Sequence, residues 1–495
     1  MKKNIYFIFF GWIIPVFIFF LLTPYLITYL GNEAFGLFTL INVVTGYVSF
    51  INFGFGQAVT KYIAEYKANN FIAEINKVVI ISISFFTIIG LIGLVFIFFS
   101  STFAVTKIFN ISLNLRDTAI ITFKIGGLGF LLNMLTEVLR GLSIGLNNFF
   151  LPNLFRSTRV ILSSVFMVYA VVNGGELHHI MIGNILGQFI VLSFNILFTL
   201  KLFKPFKYIF DINLMRNMFK YSKYIFISKS LNFTASEIGI LLLGIIKNSA
   251  EITFYTVPKR LISRSLEILN RFFEILFPLS SKLSAQNKVS DLIRIYFSMF
   301  KFQILIVIPI IIIVAFHGKW FLGVWISEQF SQNCYHILLI SCLTGLVSMM
   351  TNLPSYYAMG LGFPEYTTRF TIYRLILILI SIFPLTNYYG YTGVALSMLL
   401  GEIQGLFFIF YVPRKIFKQN LPKFIKNYIF KSTVIVLIFS LLYLNFAFYI
   451  HELQIIKYQI LILISLLSLY VLFLFILNLL SVNEIKRIIS NVKKT

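Results

Sequence analysis

The sequence contains little charge, and most of the charge it has is of one sign. Charged residues make up 12% of the 495-residue chain, hydrophobic residues make up 59%, and the mean hydropathy is +0.90. Such a composition excludes a soluble globular protein, because it supplies too little polar side chain to cover one. Only 17 residues are acidic, against 41 lysines and arginines. The chain is therefore predicted to be an all-α polytopic membrane protein.

Cysteine and the motifs of soluble enzymes are also scarce. The two cysteines, Cys334 and Cys342, lie on one predicted helix, roughly 12 Å apart along its axis, which excludes a disulfide between them. The five histidines are scattered, so no metal site is predicted. The sequence lacks a P-loop, an HExxH motif and a glycine-rich strand-turn-helix unit. We expect no cofactor, and energy for any transport would come from a coupling proton or sodium ion.

Long apolar runs are what the sequence has instead. Windows of about 20 apolar residues predict fourteen membrane-spanning helices. They cover approximately residues 5–30, 34–60, 78–104, 118–146, 153–173, 179–200, 224–246, 253–277, 302–318, 334–359, 366–386, 390–412, 432–450 and 459–480.

The distribution of basic residues predicts the orientation of these spans. An even number of spans places both termini on one side, and 26 of the 41 basic residues then fall on that side. Because loops rich in lysine and arginine stay in the cytoplasm, both termini are predicted to be cytoplasmic. The outer side holds Lys107, Arg116, Lys247, Lys319 and Lys457, and the remaining ten basic residues lie within predicted spans.

A weak internal repeat organises the helices. At an offset of 217 residues, Phe38-Thr39 matches Tyr255-Thr256, and the segment at 67–70 matches that at 284–287. Six predicted helices separate the copies, so both run in the same direction and predict two pseudo-symmetric six-helix bundles plus two C-terminal helices. The predicted divisions are an N-terminal lobe at 1–205, a cytoplasmic linker at 206–223, a C-terminal lobe at 224–415, and two peripheral helices with a basic tail at 416–495.

The eighth predicted span carries the densest intramembrane charge. Its charged residues are spaced 4, 3, 4 and 3 apart, which places them within an arc of about 80° on a helix. Lysine and arginine are costly at bilayer depth unless they face a cavity, a partner or the headgroups. We therefore predict that this face lines a water-filled, cationic lumen, although a structural charge network between helices would also satisfy it. The face consists of Arg260, Arg264, Glu267, Arg271 and Glu274, with Lys259 beside it.

Other intramembrane charges permit two interpretations. Arg140, Arg156 and Arg159 lie near predicted cytoplasmic helix ends, where they could equally reach the headgroups or line the lumen. Lys229 forms a short polar stripe with Asn232 and Ser236, and Glu237 lies on a neighbouring face. Arg374 is about eight residues into its predicted helix, too deep for an easy headgroup contact.

Two segments of the sequence resemble a known family. The segment LGNEAFGLFTLINVVTGYVSFINFGFGQAVTKYIAEY at 30–66 resembles the first-to-second-helix signature of O-antigen and capsular polysaccharide flippases. These belong to the multidrug, oligosaccharidyl-lipid and polysaccharide exporter superfamily. The segment AEITFYTVPKRLISRSLEILNRFFEILFPLSSKLSAQN at 250–287 resembles the corresponding part of the second lobe. The sequence departs from the family pattern at Asn52, where aspartate is usual, and at Asn148, where a basic residue is usual.

This resemblance implies a flippase that moves a polyprenyl-pyrophosphate-linked oligosaccharide from the cytoplasmic to the outer leaflet of a bacterial inner membrane. Basic lumen residues would offset desolvation of the diphosphate and of acidic sugars. The implied partners are this lipid-linked glycan, membrane lipid, and a polysaccharide polymerase with its chain-length machinery, with no nucleic acid. The implied substrate-binding residues are Arg260, Arg264, Arg271, Lys259, Lys229 and Arg374, and the implied ion-coupling residues are Glu137, Glu237 and Glu402.

Two other functions remain as alternatives. A drug or toxin antiporter of the same superfamily should present acidic intramembrane residues to a cationic substrate, which the charge distribution disfavours. A membrane-embedded polysaccharide polymerase or glycosyltransferase should carry a large external catalytic loop. The longest predicted outer loop has only about fifteen residues, so a transporter is favoured over an enzyme.

Overall fold

In the residues that it describes, the computed structural model consists of helices and the turns that connect them. The described residues are 2–52, 54–148, 150–202, 210–274, 276–286 and 288–411, with single residues at 414, 434, 436, 439, 440, 443, 465, 468, 470 and 474. No strand occurs among them, which confirms the all-α prediction. The predicted spans at 432–450 and 459–480 and the basic tail lie almost wholly outside the described residues.

The described chain forms two compact units. One contains residues 1–257 together with 389–394, and the other contains residues 258–388 and 395–495. The helices of the first unit are α1 (Lys2–Val48), α2 (Phe55–Ala68), α3 (Ile72–Phe103), α4 (Arg116–Gly145), α5 (Phe150–Val172), α6 (Leu177–Leu202), α7 (Ile212–Ile246) and the start of α8 (Ser249–Glu274).

The second unit contains most of α8 and the remaining helices, apart from residues 389–394. Tyr470, in the predicted last span, donates its hydroxyl to the carbonyl of Leu305, with 2.7 Å between the oxygens. That contact places this part of the C-terminal segment against the second unit. The helices are α9 (Leu276–Ala285), α10 (Val289–Trp325), α11 (Glu328–Gly360), α12 (Pro364–Tyr389), α13 (Tyr391–Ile403) and α14 (Leu406–Tyr411).

Ten stretches within the described residues are long and apolar enough to cross a membrane. The difference from the fourteen predicted spans has three causes. Predicted span 5–30 and the first part of span 34–60 fall on the continuous α1, which is kinked at Gly31, where φ is 76°. Helix α8 is too highly charged to count as apolar, and the last two spans lie almost wholly outside the described residues.

The predicted span 34–60 is interrupted in the structure. Helix α1 ends at Val48 and passes through a 3-10 turn at Ser49–Asn52 before α2 begins. Gly54 adopts φ 69°, a conformation that glycine accommodates without a side-chain clash. The side chain of Asn52 accepts a hydrogen bond from the amide of Gly54 at 2.9 Å. A break of this kind leaves no mark in a hydropathy pattern, which stays apolar across it.

Helix boundaries recur at the offset found in the sequence. Helices α2 and α9 end at Ala68 and Ala285, and helices α3 and α10 begin at Ile72 and Val289. Each pair is 217 residues apart, which supports the internal repeat. The predicted lobe boundaries stay a prediction, and α7 begins at Ile212, within the segment predicted as a linker.

Aromatic packing fills the centre of each unit. In the first, the fully buried Phe55 of α2 lies 4.5 Å from Phe85 of α3 and 4.9 Å from Phe219 of α7, measured between ring centroids. In the second, Tyr296 of α10 and Tyr357 of α11 are buried and meet edge to face at 5.0 Å. Offset and edge contacts of this kind add to the burial of apolar area and hold each helix at a fixed rotation.

Candidate functional site

The charged face of α8 lies opposite a face that is packed inside the second unit. Ile262 and Leu266 are buried, and a Cβ added to Gly345 of α11 would contact both side chains. Asn352 of α11 donates its side-chain amide to Asn270 at 2.7 Å. Small residues and interhelical hydrogen bonds of this kind fix how close two membrane helices lie and how they are rotated. The rotation of α8 is therefore set by its apolar face.

The charged face itself is half-buried. Arg264 donates from Nη1 to Oε2 of Glu267 at 2.6 Å, one helical turn away. Lys259 and Arg260 lie on the preceding turn and are also partly buried. The side chains of Arg271 and Glu274 lie outside the described residues. Four of the six charged positions predicted on this helix thus have described side chains, and Arg264 and Glu267 among them form a direct ion pair.

Arg374 and Glu402 form a buried ion pair in the second unit. The Nη2 atom of Arg374 on α12 lies 2.7 Å from Oε1 of Glu402 on α13, and the Glu402 side chain is only 7% exposed. The two helices approach closely at Gly401, where an added Cβ would contact the side chain of Ile378 and the carbonyl of Arg374. The sequence assigned Arg374 to substrate and Glu402 to ion coupling, and the structure places the two residues against one another.

A cavity of about 530 Å³, with charged and amide residues in its lining, lies inside the first unit. It is enclosed by the 3-10 turn after α1 and by parts of α4, α5 and α6. Two glycines of α6, Gly183 and Gly187, pack directly on the backbone of α5, while the polar side chains of the following turns line the opening between these helices. The charged and amide residues in the lining are Asn52, Asn133, Glu137, Arg140, Asn153, Arg156, Arg159, Gln188 and Asn195.

The cavity charges are held by short contacts. Arg159 of α5 donates from Nη1 to the side-chain oxygen of Asn133 on α4 at 2.9 Å. Arg140 donates from Nη2 and Nε to Oε2 of Glu137, at 2.6 and 3.2 Å. Glu137 also lies within electrostatic range of Arg159 and Lys229. The carboxylate of Glu137 therefore pairs with one arginine and lies in a positive field, and arginines outnumber carboxylates in the described lining.

The other two residues predicted from α7 lie apart from the described cavity lining. Lys229 is exposed, within electrostatic range of Arg140 and Glu137. Glu237 lies within range of Tyr47 on α1, whose ring meets that of Phe233 edge to face at 5.0 Å. The structure thus brings Lys229 close to Glu137, while Glu237 faces a different neighbour.

Residues that depart from the family pattern have local structural roles. Asn52 lines the cavity and caps the amide of Gly54. The side-chain oxygen of Asn148 accepts from the amide of Leu151, in the first turn of α5, at 3.2 Å. Asparagine is well suited to both positions because its side-chain oxygen can satisfy backbone donors that a helix start leaves open.

The spacing of polar residues in the sequence indicated part of this cavity, although a hydropathy profile does not show it. Asn133, Glu137 and Arg140 fall on one face of α4, and Arg156 and Arg159 lie three residues apart on α5. The sequence pattern gave no sign of the lining residues Gln188 and Asn195 of α6. These join the cavity only through the packing of α4, α5 and α6. Reaching the headgroups and lining a lumen were equal interpretations for these arginines. All three line this cavity, Arg140 and Arg156 with exposed side chains, and the choice between the two interpretations stays a prediction.

Comparison with known proteins gives a consistent family and fold. A family model described as "Polysaccharide biosynthesis protein" matches residues 1–284. A Shigella flexneri protein named "Putative O-antigen transporter" is 21% identical over 401 residues, which cover 80% of this chain and 93% of that protein.

Two solved structures show the same fold. A multidrug resistance MATE family transporter of the MOP superfamily, in an inward-facing conformation, has a TM-score of 0.70 at 14% identity, covering 82% of this chain and 94% of that one. The lipid II flippase MurJ, in an inward closed conformation, also has a TM-score of 0.70, at 15% identity, covering 96% of this chain and 100% of that one.

Proposed function

Because this chain belongs to the polysaccharide biosynthesis protein family, we propose that it is a flippase for a polyprenyl-pyrophosphate-linked oligosaccharide. The cargo is an O-antigen or capsular repeat unit, moved from the cytoplasmic to the outer leaflet of a bacterial inner membrane by alternating access. The protein acts as a secondary transporter and forms or breaks no covalent bond in its cargo. Both termini lie in the cytoplasm.

The observation that carries this proposal is the charged face of α8. Lys259 and Arg260 lie on one turn, and Arg264 on the next turn, of a helix whose other face is packed in apolar surroundings. On an insertion scale each arginine at the centre of a membrane helix costs roughly 2.5 to 3.5 kcal/mol. A stripe of arginines therefore indicates a functional site. A diphosphate offers charge-assisted hydrogen bonds to guanidinium groups and supplies the compensating negative charge. While the guanidinium groups bind the diphosphate, the lipid tail of such a cargo stays in the bilayer.

The relatives support transport of a lipid-linked glycan without specifying the cargo. One carries the name of an O-antigen transporter, and another with the same fold is a lipid II flippase. The fold alone does not separate this function from drug export, because the multidrug transporter has the same TM-score. The sign of the charge separates them, since a cationic drug would meet repulsion at α8.

Coupling to a proton or sodium ion is assigned to the intramembrane carboxylates Glu137, Glu237 and Glu402. Glu137 and Glu402 each pair with an arginine in the structure. A carboxylate so paired accepts a proton or a sodium ion only when its guanidinium partner turns elsewhere, for example toward an anionic cargo. This arrangement would link ion binding to cargo binding through competition for one arginine.

Proteoliposomes containing a fluorescent polyprenyl-pyrophosphate-linked oligosaccharide test the proposal. A membrane-impermeant quencher measures the fraction of label in the outer leaflet over time. We expect the wild-type protein to equilibrate the label, and Arg264→Ala and Arg271→Ala to slow this by about tenfold or more. Arg264→Lys keeps a charge beside Glu267 but loses the planar donor fork, so it should be intermediate.

Arg216→Ala is the matched control, because Arg216 is exposed on α7 outside the apolar part of that helix. It should transport like the wild type. Two results would overturn the proposal. One is wild-type protein that moves label no faster than empty liposomes, and the other is full transport by both Arg264→Ala and Arg271→Ala.

A further inference from the structure

We propose that His178 and His179 form an acid-sensitive switch, which releases the first turn of α6 when the medium on the outer side of the membrane becomes acidic. The two histidines follow the turn that joins α5 to α6. The predicted topology places this turn on the outer side. The switch is independent of the proposed cargo and uses none of the residues assigned to cargo or ion binding.

His179 closes the start of α6 through a side-chain hydrogen bond. The backbone amide of Glu176 donates to its Nδ1 atom, with 3.1 Å between the two nitrogens. Glu176 directly precedes α6, and its carbonyl accepts from the amide of Ile180 at 3.2 Å. An acceptor on the third residue of a helix that binds the amide of the capping residue is one half of a capping box, where glutamate or glutamine is usual. Histidine fills that position here.

The side chain of His179 lies directly on the turn before α6. A Cβ added to Gly175 would come within 3.3 Å of the ring carbon Cγ of His179. The amide of Gly175 donates to the carbonyl of Ala170 at 2.8 Å, which ties this turn to the end of α5. The Nδ1 atom of a histidine can accept a hydrogen bond only when it carries no hydrogen of its own. The cap therefore exists only while His179 is neutral.

Protonation of His179 would remove the cap for two reasons. A protonated imidazole carries hydrogen on both nitrogens, so its Nδ1 becomes a donor that faces the N–H donor of Glu176. The positive charge would also lie at the amino-terminal end of a 26-residue helix, where the helix dipole disfavours a cation. Histidine is the side chain whose charge ordinarily changes between about pH 5 and 8. A fall in pH through this range would therefore open the start of α6.

His178 offers a second position for the proton. Its Nδ1 atom is buried, has no hydrogen-bond partner among the described residues, and lies 3.6 Å from Oε2 of Glu176. The hydroxyl of Thr118, in the first turn of α4, donates to the same Oε2 atom at 3.3 Å. A proton on His178 would pair this nitrogen with Glu176 and compete with Thr118 for the carboxylate. The start of α6 would then lose its hydrogen bond to α4.

The two histidine rings are close enough to share one proton. Their centroids lie 3.9 Å apart. Two positive charges at this separation repel, so the pair binds a first proton well before a second. Whichever ring binds it, a contact that holds the start of α6 is lost. Because α6 also supplies Gln188 and Asn195 to the cavity, the switch connects the acidity of the outer medium to a helix of the candidate site.

The neighbouring elements supply no other group that titrates in this range. From 165 to 175, at the end of α5 and in the turn, the ionisable residue is Tyr169, and tyrosine is ordinarily uncharged at neutral and acidic pH. On α4, Arg116 and Asp117 directly precede Thr118, and Arg116 donates its Nε to the carbonyl of Ile111 at 3.2 Å. Arginine and aspartate ordinarily keep their charges between about pH 5 and 8.

Hydrogen–deuterium exchange of the purified full-length protein in detergent, measured by mass spectrometry, tests the switch. Exchange in peptides that contain residues 176–183 is compared at about pH 7.5 and about pH 5.5, each corrected for the intrinsic exchange rate at that pH. We expect the wild-type protein to lose about fivefold in protection at the lower pH, which is the effect of one lost helix cap. Peptides from the middle of α6 should keep their protection.

Three variants identify the groups that titrate. His179→Gln keeps a neutral acceptor at the third residue of α6, so it should match the wild type at about pH 7.5 and lose less protection at about pH 5.5. The double variant His178→Gln and His179→Gln should have the same protection at both values. His336→Gln is the matched control, because His336 is exposed on α11, and it should respond to pH like the wild type.

Four results would overturn the switch. They are equal corrected protection of the wild type at both pH values, a wild-type response to pH in the double variant, loss of the response in His336→Gln, and an unprotected first turn in His179→Gln already at about pH 7.5. The measurement requires no lipid-linked cargo. A protein that shows the switch but moves no cargo would refute only the flippase function, and one that moves its cargo without the pH response would refute only the switch.

Discussion

The hydroxyl of Thr253 donates a hydrogen bond to the backbone carbonyl of Asn32, with 2.6 Å between the two oxygens. This contact joins the start of α8 to α1 just after its kink, inside the first unit. A second contact lies beside it, where a Cβ added to Gly36 would clash with the backbone of Ser249. Ser249 and Thr253 lie 217 residues after Asn32 and Gly36, so each contact is the counterpart of the other under the repeat offset. Reciprocal pairs of this kind are the mark of a two-fold related contact.

Thr253→Val removes this hydrogen bond while keeping the shape of a fully buried side chain. We expect the free energy of unfolding to fall by about 0.6 kcal/mol, the average for hydrogen bonds between membrane helices. Thr344→Val is the control, because the Thr344 hydroxyl bonds within its own helix. In detergent, the thermal unfolding midpoint of Thr344→Val should be higher than that of Thr253→Val. Equal midpoints would show that the hydrogen bond between Thr253 and Asn32 adds nothing to stability.

Gly36→Ala places a methyl group against the backbone of Ser249, which cannot rotate away as a side chain could. The two helices would have to separate, and we expect a loss of roughly 1 to 3 kcal/mol in the free energy of unfolding. Gly323→Ala is the control, since its added Cβ would have only ordinary contacts, the nearest atom being 3.7 Å away. Denaturant titration of both variants checks the prediction. It fails if Gly36→Ala is as stable as Gly323→Ala.

The buried pair of Arg374 and Glu402 predicts strongly non-additive substitutions. Arg374→Leu leaves the carboxylate of Glu402 buried without this partner and should cost about 3 to 5 kcal/mol of stability. Glu402→Gln in the same protein removes that charge and should restore much of the loss. A double-mutant cycle by thermal unfolding measures the coupling. Additive effects of the two substitutions would contradict the pairing.

Asp211, which caps the start of α7, predicts that the stability of the fold depends on pH. Backbone N–H groups of Leu214 and Asn213 donate to its side chain and, with Lys77 of α3 nearby, lower the pKa of the Asp211 carboxyl below its ordinary 3.8. A carboxyl with a lowered pKa stabilises the fold above its ordinary pKa, and this contribution is lost as the pH falls below it.

The matched variant is Asp211→Asn, which keeps a capping oxygen but carries no charge. Its thermal midpoint should lie below that of the wild type at neutral pH, and the two should converge as the pH falls below about 4. A difference that stays constant through this range would show that the charge of Asp211 contributes nothing.

Much of the fold and part of the candidate site followed from local patterns. Helices form wherever apolar runs are long, and the face shared by Arg260, Arg264 and Glu267 follows from their spacing on one helix. The pairing of Arg374 with Glu402 could not be predicted this way, since the residues lie on different helices and meet only because Gly401 lets those helices approach. Likewise, no spacing in the sequence places Gln188 opposite Arg159.

The sequence by itself determined that the chain is a membrane protein, where its apolar helices lie, that it contains a repeat at an offset of 217, and which face of α8 is charged. These properties depend on composition and on the period of one helix, which neighbouring residues encode directly. The tertiary structure alone decided where helices break, that Arg374 pairs with Glu402, and that three arginines line one cavity with amides from another helix. Those outcomes depend on the distance and rotation between helices, which are set by side-chain packing among residues far apart in the chain.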